Sequence, residues 1–482
     1  MTHGRRRATM TLAALLTGCA GLPPKPAAVT LPRAAPLAGI AAAGGAWPTP
    51  HWWRRYRDPT LDRLIDMALS SSPSLATAGA RFASARESVR VTAAASGAHV
   101  ALNGSFVRQR LSDNGLISPK LIGFTWYNQA DLGLQASYTF DWWGKQRSAV
   151  EAATDEAQAA RAERSAAALL LASSVADAYF GWQTDQSRLG IARRKIAALE
   201  RDGAIEEARV RAGLDPAQST QRSDSAVAAA REVLASLQGS AEMRIVAIAA
   251  LVGRASADLP KLDPRPLPAV AGALPNEIKI DLIARRADIT ASRWRVEAAE
   301  KNSAAARAAF FPDISVNALA GLSSIDVGKL LEYGSRAPQA GLALHLPIFE
   351  SGLLRARYGA SRAALRGAIA DYDRTLVEAA REVAGYAAAR SQITAQLRQR
   401  RIEVDAARRL EGGAAAEVRQ GIADARIELS ARLALLDQQD ALMRLDAAAL
   451  SADVGLQRSL GGGYLGPRSL ARLDGSAAKR AP

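Results

Sequence analysis

Histidine and cysteine, the usual ligands of transition metals in proteins, are scarce in this chain. The sequence has four histidines and one cysteine: His3, His51, His99, His345 and Cys19. No two histidines have the helix or hairpin spacing of metal ligands, and a single cysteine excludes a disulfide framework, a cysteine-based zinc site and an iron–sulfur cluster within one chain. No nucleotide-binding loop or catalytic triad is visible either. The sequence therefore predicts a protein that is not an enzyme and has no metal or organic cofactor.

The lone cysteine follows a secretory signal. Three arginines at positions 5–7 precede a short apolar run at 10–16, which is too short to cross a bilayer as a mature helix. Residues 16–19, Leu-Thr-Gly-Cys, resemble the bacterial lipobox, in which the cysteine thiol is acylated before cleavage. We predict a lipoprotein signal peptide over 1–18 and a covalent lipid on Cys19. The alternative is a buried cysteine after a chance apolar run.

The residues after the cysteine indicate the compartment. Ala20 occupies the position at which an aspartate would resemble an inner-membrane retention signal, so the motif favours the outer membrane. Five prolines between positions 23 and 36 keep the next stretch extended. We predict an extended N-terminal tether over 19–60 and a disordered C-terminal tail over 464–482.

The composition is that of a protein with long helices. Of the 482 residues, 49% are hydrophobic but only 5% are aromatic, because most apolar residues are alanine and leucine. Alanine and leucine with glutamate and arginine favour long helices. The formal net charge is +15, but the arginines alternate with aspartate and glutamate and form no basic block. This pattern predicts solvated helix faces and no binding of nucleic acid.

The chain contains an internal duplication. Two pairs of segments match each other: 140–147 with 348–355, and 210–214 with 418–422. Both pairs have the same offset of 208 residues, as from Gly144 to Gly352. We therefore predict a first structural repeat over 61–260 and a second over 261–463.

Each repeat has two segments in which apolar residues alternate with polar or small ones. This pattern predicts β-strands at about 98–108, 130–140, 313–323 and 339–349. Strands of about 9 to 11 tilted residues cross a bilayer in membrane barrels, and aromatic residues near the strand ends fit an aromatic girdle. Four strands cannot close a barrel, and lipid does not tolerate an open strand edge. The sequence therefore predicts an oligomer.

The remaining sequence predicts two long helical hairpins. Residues 146–209 contain no proline, which allows a helix of about 90 to 95 Å. Glycines lie between paired helices, where a turn needs a residue that tolerates positive φ. We predict hairpins at about 146–253 and 353–459, with turns that contain Gly213, Leu214, Gly421 and Ile422.

Motifs along the whole chain resemble those of outer-membrane efflux channels. Residues 285–289, Arg-Arg-Ala-Asp-Ile, and 310–312, Phe-Phe-Pro, are similar to the family's Arg-Arg-Pro-Asp-Ile signature and to its Phe-Pro strand start, with Ala287 in place of proline. Further similar segments are Trp53, 58–64, 140–144, 178–180, 347–349 and 460–464. The chain thus resembles the TolC-like outer membrane factors, specifically the NodT-type lipoproteins of resistance-nodulation-division efflux systems.

This resemblance implies a fold class and partners. It implies a mainly α protein with two repeats of helix, strand, strand, long helix and long helix. Three chains would form a twelve-stranded outer-membrane β-barrel that continues into a periplasmic α-helical tunnel. The function implied is that of a passive exit channel in a tripartite pump, with outer-membrane lipid, a periplasmic adaptor protein and an inner-membrane resistance-nodulation-division pump as partners. The hairpin turns would dock the adaptor.

The resemblance also implies a gate near the second turn. Family members often carry aspartates in this tip helix that form constricting rings, but the matching positions here are Ile427 and Ser430. The neighbouring charged residues are Asp424, Arg426 and Glu428. We take these three as the candidate lumen gate.

Two other interpretations remain open from the sequence. A structural periplasmic coiled-coil lipoprotein without a pore would explain the helices and the lipobox, but it leaves four alternating strands without a purpose. An envelope-anchored enzyme would need carboxylates, and Asp141 and Glu350 recur at equivalent repeat positions. At strand-to-helix junctions, however, carboxylates are better explained as helix caps.

Overall fold

The structure is a computed structural model that describes residues 29–32, 45–114, 119–270, 275 and 278–466. Within this part the chain is mainly helical, as predicted. The predicted signal peptide, Cys19 and all but residues 464–466 of the predicted tail lie outside the described residues.

The helices and strands follow the predicted order. The described helices are α1 (Pro59–Ser71), α2 (Pro73–Ala95), α3 (Pro119–Ile122), α4 (Lys145–Arg211), α5 (Gln218–Val252), α6 (Ile278–Arg285), α7 (Ala287–Ala308), α8 (Leu353–Arg419) and α9 (Ala425–Ser459). The described strands are β1 (His99–Arg110), β2 (Trp126–Phe140), β3 (Asp313–Ser324) and β4 (Gln339–His345). Two compact units divide these elements. The strand unit includes Ala83–Ala159 and Arg293–Asp371, and the helix unit includes Ala160–Ser292 and the residues from Tyr372 onwards.

The four strands form one antiparallel sheet in chain order. Its register aligns the even-numbered residues of all four strands in common rows, as in Leu102–Leu134–Ala320 and Val316–Leu342. Directly paired residues project on the same side of a sheet. One side, the apolar face, therefore contains Val100, Leu102, Phe106, Leu132, Leu134, Tyr138, Phe140, Ile314, Val316, Leu322, Leu342 and Leu344. The other side, the polar face, contains Asn103, Ser105, Gln129, Asp131, Gln135, Asn317 and Gln339.

Proline and pairing set the strand ends. The last strand was predicted to extend to residue 349, but β4 ends at His345. Pro347 lacks the N–H group that a further ladder bond would need. β2 begins earlier than predicted, at Trp126, because Trp126 pairs with Arg110 at the end of β1.

Short-range bonds join the sheet to the first long helix. The Asp141 carboxylate accepts hydrogen bonds from the backbone N–H groups of Gln146 (3.1 Å) and Arg147 (2.8 Å), so this carboxylate is a helix cap, as predicted. At the equivalent position of the second repeat, the backbone carbonyl of Glu350 accepts from Leu353 N–H at 2.9 Å. Trp143 donates its indole N–H to the carbonyl of the residue before β3, Pro312, at 2.9 Å.

The N-terminal segment is not extended throughout. The predicted tether over 19–60 is wrong for its last residues, because Trp52–Tyr56 form a 3-10 helix and α1 begins at Pro59. Trp52 and Trp53 are only 2% and 4% exposed in the main core of the helix unit. Burial of two tryptophans stabilises this folded segment by several kcal/mol, on the order of 25 cal/mol per Å².

The core of the helix unit also orders the start of α1. The Asp58 carboxylate accepts hydrogen bonds from Thr60 N–H (2.9 Å) and Leu61 N–H (3.3 Å), which caps the helix. Its second oxygen accepts from the Tyr179 hydroxyl of α4 at 2.7 Å. The sequence segments at 58–64 and 178–180 therefore form one contact.

One described helix, α5, is long and apolar enough to cross a membrane on length and composition alone. Core helices of soluble proteins have the same properties. In the cores of the helix unit, α5 packs against α4 through Leu237, Ala241, Ile248 and Val252. α5 is therefore the second helix of the first hairpin.

Candidate functional site

The first hairpin turn is a Schellman motif that ends α4. Gly213 has φ 73° and donates its N–H to the Val210 carbonyl at 3.0 Å. Leu214 N–H reaches back to the Arg209 carbonyl at 2.9 Å. These two hydrogen bonds satisfy carbonyl groups in the last turn of the helix. They require that the residue at position 213 has a left-handed backbone conformation, with positive φ. The Leu214 side chain is left 65% exposed.

The second turn, at the end of α8, has the same geometry. Gly421 has φ 72° and donates to the Val418 carbonyl at 3.0 Å, and Ile422 N–H donates to the Glu417 carbonyl at 2.9 Å. Ile422 is 73% exposed. A Cβ atom added at Gly213 or Gly421 would meet no atom within 4 Å. Both turns therefore need glycine for backbone conformation and not for space.

The candidate gate residues lie at the start of α9. Asp424 is the N-cap, and its carboxylate accepts from Arg426 N–H at 3.0 Å. Glu428 lies in the first turn, where a negative charge stabilises the helix dipole. Both carboxylates thus stabilise the start of the helix that follows the second turn.

Arg426 joins the second turn to the first hairpin. Its guanidinium lies 3.1 Å from an Asp202 carboxylate oxygen and 2.6 Å from one of Glu206, both on α4. It also lies 3.9 Å from a carboxylate oxygen of Asp215, just after the first turn. Arg426 therefore ties the two hairpins of one chain together beside their turns.

A second arginine extends this group of charges. The Arg209 guanidinium lies 2.6 Å from an Asp215 carboxylate oxygen and 3.8 Å from one of Asp424. We call the six residues the turn cluster: Asp202, Glu206, Arg209, Asp215, Asp424 and Arg426. Hydrogen bonds from Arg209 lower the pKa of Asp215, and the Asp215 carboxylate in turn raises the pKa of Arg209. With four carboxylates and two guanidinium groups, the ionised cluster has an excess of negative charge.

The turn cluster contains two of the three candidate gate residues. Asp424 and Arg426 belong to it, whereas Glu428 forms none of the ion pairs found in the described part of the chain. The acidic residues on α4 were not among the predicted site residues, although Asp202 and Glu206 have the i, i+4 spacing that places two side chains on one helix face.

A groove of about 800 Å³ lies beside the turn cluster in the helix unit. Leu410, Ile427 and Leu433 contribute apolar surface to it, and Arg409 and Glu417 contribute charge. Leu410 and Ile427 are 70% and 52% exposed. Exposed apolar side chains next to two glycine turns form a surface suited to a helical partner.

The sheet supplies a second candidate surface. β1 and β4 are the edge strands, so one side of each has no hydrogen-bond partner within the sheet. On the apolar face, Leu102 is 69% exposed, Leu342 is 77% exposed and Leu344 is 69% exposed. Among the described residues, no three His, Cys, Asp or Glu side chains are grouped so that they could hold a metal ion.

Comparisons with known proteins find matches over most of the chain. The family model described as outer membrane efflux protein matches residues 64–254 and 280–462. The multidrug resistance outer membrane protein MdtP of Escherichia coli K12 is 31% identical over 432 residues, which cover 88% of each chain. MdtQ of Escherichia coli O6:H1 is 32% identical over 472 residues, which cover 95% of this chain and 98% of the relative.

Solved structures have the same fold. The outer membrane protein VceC of Vibrio cholerae superposes with a TM-score of 0.78 at 31% identity, over 86% of this chain and all of that one. The outer-membrane channel OprN gives a TM-score of 0.82 at 26% identity, over 91% of this chain and 98% of that one.

Proposed function

The chain belongs to the outer membrane efflux protein family, and on this basis we propose that it is the outer-membrane exit channel of a tripartite efflux pump. The observation that carries this proposal is the register of the four-stranded sheet, which places most of the large apolar side chains on one face and most of the polar ones on the other. Such a sheet fits a barrel wall with lipid outside and water inside.

The barrel is formed by three chains. A four-stranded sheet leaves the edges β1 and β4 unpaired, and unpaired backbone groups in hydrocarbon cost several kcal/mol each. Pairing of β1 with β4 of a neighbouring chain removes these edges, and closure after three chains gives twelve strands. Exposed apolar residues on α5, including Met243 (75%) and Val246 (60%), supply surface for helix contacts between chains.

The helices form the periplasmic tunnel. α4 and α8 each have 67 residues, and helices of this length extend about 100 Å. The two glycine turns lie at the far ends of these helices. We propose that the turns and the adjoining groove dock a periplasmic adaptor, through which an inner-membrane resistance-nodulation-division pump supplies energy. The cargo is proposed to be drugs, as the names of the MdtP and MdtQ relatives suggest.

Charged substitutions in the two hairpin turns test whether these turns dock the adaptor. Leu214→Asp and Ile422→Asp each put a carboxylate on an exposed apolar position without changing a glycine. Leu331→Asp is the matched control, because Leu331 is 80% exposed in the loop between β3 and β4. Both turn variants should lose adaptor crosslinking and export while keeping normal trimer yield. Wild-type crosslinking in both would contradict the docking assignment.

The channel itself is tested by conductance. Purified full-length protein should open discrete conductance steps in a planar bilayer and run as a heat-sensitive oligomer rich in strand as well as helix. A structural coiled-coil lipoprotein without a pore, the alternative, would give neither conductance nor a heat-sensitive barrel.

We also propose that Cys19 carries the lipid anchor and that no other cofactor is needed. The lipobox supports this assignment. Labelled palmitate should enter the wild type and not Cys19→Ser, and equal labelling of both would refute it. The variant should still insert, because the barrel buries more apolar surface than acyl chains do at about 0.8 kcal/mol per CH₂.

A further inference from the structure

Three arginines lie on the apolar face of the sheet, all at its loop end. Arg108 and Arg110 continue the even-numbered row of β1 and pair with Asn128 and Trp126. Arg336, in the segment between β3 and β4, is bridged to Leu322, which places it on the same face. We call Arg108, Arg110 and Arg336 the rim arginines.

The charge on this face is strongly asymmetric. Of the residues that β1, β2, β3 and β4 place on the apolar face, Arg108 and Arg110 are the only charged ones. At the opposite end, where the strands join the helices, the same face carries side chains such as Val100, Phe140 and Leu344. A cation on a lipid-facing surface is costly unless it meets a polar partner. A polar partner of Arg108 and Arg110 must therefore lie at the loop end of the sheet.

Aromatic rings place the rim arginines at the level of lipid headgroups. The Arg108 guanidinium lies 5.9 Å from the Trp126 ring centroid, and the Arg336 guanidinium lies 3.9 Å from that of Tyr333. Tryptophan and tyrosine concentrate at membrane interfaces, where headgroups meet acyl chains. The rim arginines thus lie next to both phosphate groups and hydrocarbon.

The existing contacts leave the guanidinium groups available. Arg110 pairs with Asp113 at 3.1 Å, but both side chains are more than half exposed, and such pairs contribute about 0 to 1 kcal/mol. In the described residues no ion pair is found for Arg108 or Arg336. A phosphate can bind guanidinium groups through two parallel hydrogen bonds.

We propose that the rim arginines form a binding site for multiply phosphorylated anionic lipid of the outer leaflet. The phosphates bind the guanidinium groups, and the acyl chains pack on the apolar face below, beside Phe106 and Leu102. An inorganic phosphate ion lacks this second contact and binds far more weakly. The proposal rests on the proposed barrel, which turns the apolar face to lipid and the loop end to the cell exterior.

The test measures lipid binding by the purified full-length protein in a neutral detergent. Radiolabelled bis-phosphorylated lipid A is titrated against wild type, against the triple variant Arg108→Gln, Arg110→Gln, Arg336→Gln, and against a control triple variant Arg355→Gln, Arg357→Gln, Arg366→Gln. The control removes the same charge from α8 in the same unit. Dephosphorylated lipid A and inorganic phosphate are used as competitors.

The rim variant should need at least about tenfold more lipid A for half-saturation, and high salt should produce the same loss in the wild type. The control variant should bind as the wild type does, and neither competitor should displace the lipid. Unchanged binding by the rim variant, equal loss in the control, or displacement by dephosphorylated lipid would overturn the proposal. Conductance of the rim variant separates the lipid-binding proposal from the channel proposal. A rim variant that conducts as a trimer but does not bind lipid A contradicts only the lipid-binding proposal.

Discussion

Single charged residues decide how the two turns are held together. Arg426 contacts Asp202 and Glu206 across the hairpins, and the Glu206 side chain is only 8% exposed. Arg426→Ala removes the tie and leaves a nearly buried carboxylate without its cation. We expect the turns to separate, so single channels in planar bilayers should show a higher conductance or open fraction than the wild type.

Arg419→Ala is the matched control for this change. Arg419 is exposed in the last turn of α8, so its removal changes the charge of the same hairpin without breaking the turn cluster. Control channels should conduct as the wild type does. If both variants conduct alike, the turn cluster does not restrict the channel.

A second residue makes stability depend on pH. Burial raises the pKa of Asp177 on α4 to about 6, and one of its buried carboxylate oxygens finds no hydrogen-bond partner among the described residues. Because the folded pKa lies above the unfolded value, ionisation of Asp177 destabilises the fold as pH rises through about 4 to 6. Asp177→Asn should therefore raise the free energy of unfolding by about 1 to 2 kcal/mol per chain at pH 7.5.

Thermal melts followed by circular dichroism test this dependence. The stabilisation by Asp177→Asn should shrink towards zero at pH 4, where the wild-type carboxyl group is protonated. Asp66→Asn, at an exposed position of α1, is the matched control for the loss of one carboxylate. If Asp177→Asn melts at the wild-type temperature at pH 7.5, ionisation of this carboxyl group does not destabilise the fold.

At the scale of elements, the motif at 285–289 stabilises the break between helices α6 and α7. α6 ends at Arg285 and α7 begins at Ala287, and Arg286 between them is buried. Its guanidinium donates to Asp288 at 2.6 Å, to Glu382 on α8 at 2.8 Å and to the backbone carbonyl of Ser459 at 3.0 Å. The arginine thus joins this break to both helices of the second hairpin.

Arg286→Met should cost about 3 kcal/mol of folding free energy, because it leaves two carboxylates and a buried carbonyl without their donor. The melting temperature of the trimer measures this loss. Arg293→Met removes the i, i+4 ion pair with Glu297 and the contact of the guanidinium with the Trp294 ring, and it should cost less than about 1 kcal/mol. Equal effects of the two substitutions would mean that the Arg286 contacts add nothing to stability.

The sequence predicted these elements well but not their local contacts. Alternation of apolar residues located all four strands, and glycine located both turns. The three glycines at 461–463 were recognised only as a family motif, whereas their φ values of 90°, 54° and 81° and their close approach to the backbone of Arg285 and Thr49 explain them. Such approaches join residues far apart in sequence, so periodicity cannot reveal them. For the same reason, periodicity did not reveal that Trp52–Tyr56, within the predicted tether, are folded.

At the scale of the whole molecule, the predicted family and the outer-membrane location are confirmed. The alternation within each strand predicted two faces, but only the register shows that all four strands place most of their large apolar residues on the same one. An oligomer is a prediction that this sheet supports, because its edges have no partner strand among the described residues. The number of chains stays a prediction.

Cysteine pairs across the sheet edges test the trimer. Asn103 on β1 and Gln339, Gly341 or Ala343 on β4 all lie on the polar face. Within one chain β1 and β4 are three strand spacings apart, about 14 Å, which exceeds the roughly 7 Å that a disulfide can span. Between neighbouring chains of the proposed barrel they are adjacent. Asn103→Cys combined with a cysteine at one of the three β4 positions should therefore yield a covalent trimer on a non-reducing gel.

The matched control is Asn103→Cys with Gly321→Cys. These residues share one row of the sheet but lie two strands apart, about 9.5 Å, so they should remain unlinked. Cys19 should not interfere, because its thiol is proposed to be acylated. Covalent species that stop at three chains support closure by three copies, since an open arrangement would continue to larger products. A ladder beyond three chains, or monomers from every β4 position, would contradict the twelve-stranded barrel.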